Sequence, residues 1–128
     1  MKLLLDTHTF IWFVMGSNQL SPIARELIED VFNDKLVSHA SLWEMSIKHS
    51  LGKLNLQLPF RVFIESHLAR NGFDILPISD EHIYATTGLH YHHRDPFDRM
   101  LIAQALTDRV PVISVDTMFD RYAVTRLW

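Results

Sequence analysis

At 128 residues, 48% hydrophobic and 21% charged, the chain has the composition of one folded domain rather than a disordered segment, and its length allows burial of roughly two-thirds of the unfolded surface. With no cysteine, a disulfide framework, a thiolate metal site and a cysteine nucleophile are excluded. A formal charge of −3 argues mildly against a polyanion partner, so any nucleic-acid contact has to come from local basic residues.

The N-terminus begins like a signal peptide but meets Asp6 and His8 before an apolar region develops, and no later run reaches the roughly 18 apolar residues of a membrane span. The expectation is a cytoplasmic protein with no membrane contact. Residues 2–5 read as a short buried strand ending at the carboxylate of Asp6. Residues 9–15 are apolar and aromatic, so Phe10, Trp12 and Phe13 enter the core or meet a partner. Ser21 and Pro22 predict a helix start, and Ile23, Leu27, Ile28, Val31 and Phe32 recur at helical spacing through Phe32.

A strand over 35–38 follows, with Ser38 or Ser41 capping a helix that carries Trp43 and Glu44 and closes at Gly52-Lys53-Leu54. After a polar–apolar alternation over 54–58, Pro59 opens a helix to about Arg70, stopped by Asn71-Gly72. Residues 73–78 predict a strand whose Pro77 marks its end or an edge position, and Ser79 caps a short helix over 81–89. The loop 90–94 leads to a helix over 96–107 with Asp95 as N-cap and Pro96 in its first turn, which places Asp98 near the third helical position. There the helix dipole favours the ionised carboxylate. Residues 111–115 form the clearest strand and end at Asp116, 117–120 turn, and 122–126 add a final edge strand.

Strands separated by helices predict a parallel sheet, so strand ends that finish in acids share one rim, where open α/β sheets bind ligands. Four acids fall there: Asp6, Glu44, Asp98 and Asp116. Singly, Asp95-x-x-Asp98 and Ser41-x-x-Glu44 also fit ordinary capped helix starts. Together, two carboxylates about 4 Å apart repel by roughly 4 kcal/mol even at an effective dielectric near 20, so the cluster takes up protons or holds a cation. Oxygen donors without cysteine point to Mg²⁺ or Mn²⁺, which lowers the pKa of a bound water and suits phosphodiester hydrolysis.

The motifs carrying these acids resemble those of the PIN-domain ribonucleases, in particular the VapC-type toxins of bacterial toxin–antitoxin pairs. They are Leu4-Leu-Asp-Thr-His-Thr-Phe-Ile-Trp12, Ser41-Leu-Trp-Glu-Met-Ser-Ile-Lys48 with Leu51-Gly-Lys-Leu54, Asp95-Pro-Phe-Asp-Arg-Met-Leu-Ile-Ala-Gln-Ala105, and Ser114-Val-Asp116. The resemblance covers essentially the whole chain in order. It implies a single PIN-like domain over residues 1–128, an α/β/α sandwich around a central, mostly parallel sheet of four to five strands. It further implies Asp6, Glu44 and Asp98 as the metal-binding and catalytic core with Asp116 as a more variable fourth acid, Mg²⁺ or Mn²⁺ as cofactor, and RNA as substrate. A homodimer and a cognate VapB-like antitoxin complete the implied partners. The block 9–15 and Trp43 suit a groove for an antitoxin helix, or core packing.

Other readings of the same residues stay open. Asp95 competes with Asp98 as ligand; Arg94 and Arg99 could hold a phosphate or be solvated charges; Thr7 or Ser114 could orient a water. His90, His92 and His93 lack the spacing of a zinc site, and His8 could carry a proton or satisfy a local hydrogen bond. A rival enzyme would use Asp6 as a phosphate-accepting nucleophile, with Asp116 and Asp120 as the metal site of a haloacid-dehalogenase-like phosphatase. A non-catalytic partner-binding domain would leave the acids as caps and solubilising charges.

Overall fold

The three leucines of Lys2–Leu5 (β1) are fully buried in the computed structural model, which describes residues 1–128. A strand buried on both faces has to sit mid-sheet, and β1 does. The sheet has the order β3-β2-β1-β4-β5, with β2 Asp34–Ser38, β3 Phe73–Leu76, β4 Val112–Ile113 and β5 Arg126–Leu127, every pairing parallel. Alternation along β1 sends Leu3 and Leu5 into one core with Phe10, Val37 and Phe63, and Leu4 into a second with Leu101, Ile102 and Phe119. Helices α1 (Thr7–Val14), α2 (Pro22–Glu29), α3 (His39–Ser50) and α4 (Phe60–Asn71) supply the first core, and α6 (Pro96–Asp108), flanked by α5 (Asp80–Thr86), supplies the second. This is the expected α/β/α sandwich.

Several boundaries differ from expectation, two of them through a side chain competing for the backbone. The second helix ends at Glu29, because Asp30 turns extended and its Oδ1 accepts the Phe32 N–H at 2.9 Å. Val31 and Phe32 are left 82% and 88% exposed, outside the helix and the core. The helix expected over 81–89 stops at Thr86, where Thr86 and Thr87 hydroxyls donate back to the Ile83 and Tyr84 carbonyls. The strand expected over 111–115 pairs only at Val112 and Ile113, residues Thr117–Arg121 coil into a 3-10 helix, and the last strand, expected over 122–126, lies at Arg126–Leu127. Gly72, at φ 65°, closes α4 in the left-handed conformation that favours glycine. No helix is long and apolar enough to cross a membrane.

Candidate metal centre

The strand order reverses between β1 and β4, so the residues just past their C-terminal ends face one another across the switch point. Asp6 follows β1 and caps α1, its Oδ1 accepting the Thr7 N–H at 2.7 Å. Its Oδ2 accepts the Ser114 hydroxyl at 2.7 Å. Burial pushes this carboxyl above the usual range; the Ser114 and Thr7 hydrogen bonds and nearby His8 oppose the rise, and Glu44 adds to it.

Glu44 reaches the same place from α3. Ser38 is the cap of that helix, accepting the Ala40 N–H at 3.0 Å, whereas Ser41 lies inside it and accepts the Thr7 hydroxyl at 2.8 Å. The Ser41–Glu44 capping box therefore does not form. Glu44 is 8% exposed; its Oε2 lies 3.0 Å from Lys48 Nζ, while its Oε1 is buried without a hydrogen-bond partner. An unpartnered buried acceptor costs about 1–3 kcal/mol, so this oxygen marks where a ligand would repay the fold.

At α6, Asp95 is the N-cap, its Oδ1 accepting the Phe97 and Asp98 N–H groups at 2.9 and 3.1 Å, with Pro96 in the first turn. Asp98 is accordingly the third helical residue. The dipole does not keep it ionised, however: burial, followed by Asp6, Asp95, Glu44 and Asp116, pushes its carboxyl up to about 8. A helix terminus contributes about 0.3–1 kcal/mol at an exposed site, less than one pKa unit, and burial beside four acids outweighs it. Asp116 caps the 3-10 helix through Oδ1, which accepts the Met118 N–H at 2.9 Å.

Asp6, Glu44, Asp95, Asp98 and Asp116 line one cavity of about 460 Å³, together with His8, Lys48 and Trp12. All four acids read from the sequence are thus brought to one place, and so is Asp95. Sequence reasoning weighed His93 only with His90 and His92 as a zinc set and missed its place among the acids. Its Nε2 lies 3.0 Å from Asp98 Oδ2 and 2.9 Å from Asp116 Oδ2, while His90 and His92 turn elsewhere, His92 against Tyr122. The only signal was a histidine two residues ahead of an N-cap. Sequence reasoning also missed the buried His82, which accepts the Ser79 N–H through Nδ1 and meets Asp108 at 2.9 Å, clamping α5 to α6.

Of the two arginines that could hold a phosphate, neither lines the acidic cavity. Arg99 is 8% exposed and spends its guanidinium on the carbonyls of Thr86, Leu89, His90 and His93 at 3.0 to 3.3 Å, stacked 4.0 Å over Tyr91. Arg94 lines a separate cavity, also about 460 Å³, with Trp43, Tyr91 and Phe97. Thr7 and Ser114 are engaged by Ser41 and Asp6. Asp120 is paired with Arg126 at 2.9 Å and does not line the acidic cavity, so the second acid of the phosphatase reading is elsewhere. Of the aromatic block, Phe10 is fully buried and Trp12 and Phe13 pack against the core, whereas Trp43 is 63% exposed.

The order of strands, the acids at the switch point and the cavity between them define an α/β protein with an acidic cleft at the sheet's C-terminal edge, and residues 3–125 match the family model described as the PIN domain. The chain belongs to the PIN-domain family. No curated protein matches it in sequence. Among solved structures, its fold is similar to a chain of VapBC2 from Rickettsia felis bound to a DNA fragment from their promoter, at 14% identity and TM-score 0.75 over 99% of this chain and 98% of that one. FitAcB from Neisseria gonorrhoeae is similar at 19% identity and TM-score 0.68, over 98% and 96% of the two chains. VapBC-5 from Mycobacterium tuberculosis, a member of the VapBC family of toxin–antitoxin systems, is similar at 20% and TM-score 0.61, over 98% of each chain. At these identities the likeness is one of fold.

Proposed function

We propose that this chain, acting as a single domain over residues 1–128, is a divalent-metal-dependent endoribonuclease and the toxin of a VapBC-type toxin–antitoxin pair. The observation that carries the reading is the convergence of Asp6, Glu44, Asp98 and Asp116 from four separate segments on one cavity; the Glu44 Oε1 is in addition buried and unpartnered. An all-oxygen acidic set with one orphaned carboxylate oxygen and one carboxyl held protonated to about pH 8 fits Mg²⁺ or Mn²⁺, which relieves both.

Asp6, Glu44, Asp98 and Asp116 would hold the cation. When bound, it would supply a water nucleophile at neutral pH and offset negative charge on the phosphodiester in the transition state. Ser114 and the Thr7 N–H orient the Asp6 carboxylate from both of its oxygens. Lys48 holds Glu44 Oε2, so Oε1 is the carboxylate oxygen that would turn to the cation. Lys48 is also the only lysine or arginine lining the cavity, the local positive charge that an RNA phosphate requires in a chain of net charge −3.

The reading includes a VapB-like antitoxin, a homodimer and a cytoplasmic location; apolar surface near the acids favours the antitoxin. Exposed Trp43 and Tyr91 line a cavity with Phe97 and Met100, a shape that suits an apolar helix face. One fold neighbour, VapBC-5, is a member of the VapBC family of toxin–antitoxin systems.

The test is cleavage of RNA by the purified chain with and without added Mg²⁺ or Mn²⁺, beside folded Asp6→Asn and Asp98→Asn variants. Cleavage is expected to need the cation and to be lost in both variants. Wild-type rates from either variant, or from chelator-treated protein, would rule the site out.

A further inference from the structure

We propose that His93 is a direct nitrogen donor to the cation, making this centre a mixed imidazole–carboxylate site rather than an all-carboxylate one. The inference rests on the metal-dependent reading above and adds a ligand of a different chemical class to it.

The geometry is specific to one atom. His93 Nε2, Asp98 Oδ2 and Asp116 Oδ2 form a group with both carboxylate oxygens within 3.0 Å of the nitrogen and all three donor atoms within 4.8 Å of one another. Donors about 2.1 Å from an octahedral cation, at right angles to one another, are separated by about 3 Å. The nitrogen thus stands at the spacing of an adjacent ligand. Glu44, which lines the cavity with Asp98 and Asp116, independently has a buried Oε1 without a hydrogen-bond partner.

The ring is held from its own backbone. The His93 N–H donates to the Tyr122 hydroxyl at 2.9 Å, that hydroxyl donates to the His90 carbonyl at 2.6 Å, and Arg99 Nη1 donates to the His93 carbonyl at 3.2 Å. The ring edge packs toward Phe119, and the side chain is only 15% exposed. A loop histidine that merely found an acid would not need a buried arginine and a tyrosine to fix its main chain. The cation would sit where His93 Nε2 meets both carboxylate oxygens. His93 Nδ1 accepts the Asp95 N–H at 3.4 Å, which ties the ring to the start of α6.

An imidazole donor favours Mn²⁺ over Mg²⁺ more than carboxylates alone do, so the chain is expected to select Mn²⁺. The alternative, a histidine that only bridges two acids, makes the opposite prediction: removing it removes a competitor and strengthens cation binding.

The experiment is pulsed electron paramagnetic resonance of Mn²⁺ added to the full chain, natural and labelled with [¹⁵N]histidine, with calorimetric Mn²⁺ and Mg²⁺ titrations of wild type, His93→Ala, His93→Gln and His8→Ala. Directly bound imidazole gives ¹⁴N modulation that changes to the ¹⁵N pattern on labelling, is lost in both His93 variants and persists in His8→Ala. Mn²⁺ affinity is expected to fall on the order of tenfold in the His93 variants, and Mg²⁺ affinity less. Mn²⁺ bound without histidine-nitrogen coupling, coupling that survives in His93→Ala, or affinity that rises in the variants would overturn the proposal and leave the carboxylate site standing. No Mn²⁺ binding at all would overturn the metal-dependent reading itself. The labelled wild type reads the bond without relying on any variant to fold.

Discussion

Ser114 Oγ donates to Asp6 Oδ2 across 2.7 Å, joining the ends of β4 and β1, 108 residues apart, at the point where the strand order reverses. Both residues are buried, and the same Ser114 oxygen accepts the Asp116 N–H at 3.0 Å. One hydroxyl therefore aims two of the four acids. Ser114→Ala is expected to weaken Mn²⁺ binding by about 10- to 100-fold, the usual effect of removing a residue that orients a ligand. It should also lower stability by about 1–3 kcal/mol, because a buried carboxylate loses its hydroxyl partner. Titration calorimetry and urea denaturation measure the two losses separately; an unchanged affinity would show that Asp6 needs no such support.

The Asp98 carboxyl, near 3.8 in the unfolded chain and about 8 in the folded one, sets a pH dependence of known sign. Between those values the folded protein keeps a proton that the unfolded chain has released, so rising pH favours unfolding. This contribution to stability is complete below about pH 4 and is lost as pH rises through about 8. Thermal melts of the metal-free protein should show wild type losing stability from pH 5 to 8 relative to Asp98→Asn, with a gap of several degrees by pH 8. With saturating Mn²⁺ the wild-type trend should reverse, since the cation replaces the proton. Parallel curves for the two proteins without metal would contradict the assignment.

What could be read from the sequence was whatever is periodic or local. The apolar run of β1 ending at Asp6, the Asp95–Pro96 helix start and the alternation of strands and helices are set within a few residues, and the parallel sheet follows from them. His93 was not readable, because its position depends on a loop conformation fixed by Arg99 and Tyr122, one of them 29 residues away. Arg99 itself reads as a surface charge at a helix start; only the four carbonyls gathered around it reverse that. The ionisation of Asp98 was misjudged for a related reason: the dipole is local to its helix, while the opposing acids arrive through space.

The end of α2 offers a check on that contrast. Phe32 fits the helical repeat but lies 88% exposed beyond the Asp30 cap, whereas Ile28, one turn earlier, is 2% exposed. Phe32→Ser should change stability by no more than about 0.5 kcal/mol, and Ile28→Ala should cost about 2–5 kcal/mol. Chemical denaturation distinguishes them; equal losses would place Phe32 back in the helix and the core.

Arg99 offers the sharpest separation of a structural from a phosphate-binding role. Its two terminal nitrogens satisfy the carbonyls of Thr86, Leu89, His90 and His93, and its plane stacks 4.0 Å above Tyr91. A lysine keeps the charge but has three donors on one atom and no flat face, so it cannot reproduce the fork or the stack. Arg99→Lys is therefore expected to cost about 3 kcal/mol or more, and Arg99→Ala a similar amount, since either leaves buried carbonyls unpaired. Amide hydrogen exchange should rise across residues 86–95 in both variants before it rises in β1 or α6. Because that segment carries His93 to Asp98 and Asp116, Mn²⁺ binding should weaken alongside. A phosphate-anchoring arginine would behave otherwise: lysine would restore most of the function, the loop would stay protected, and only RNA binding would suffer.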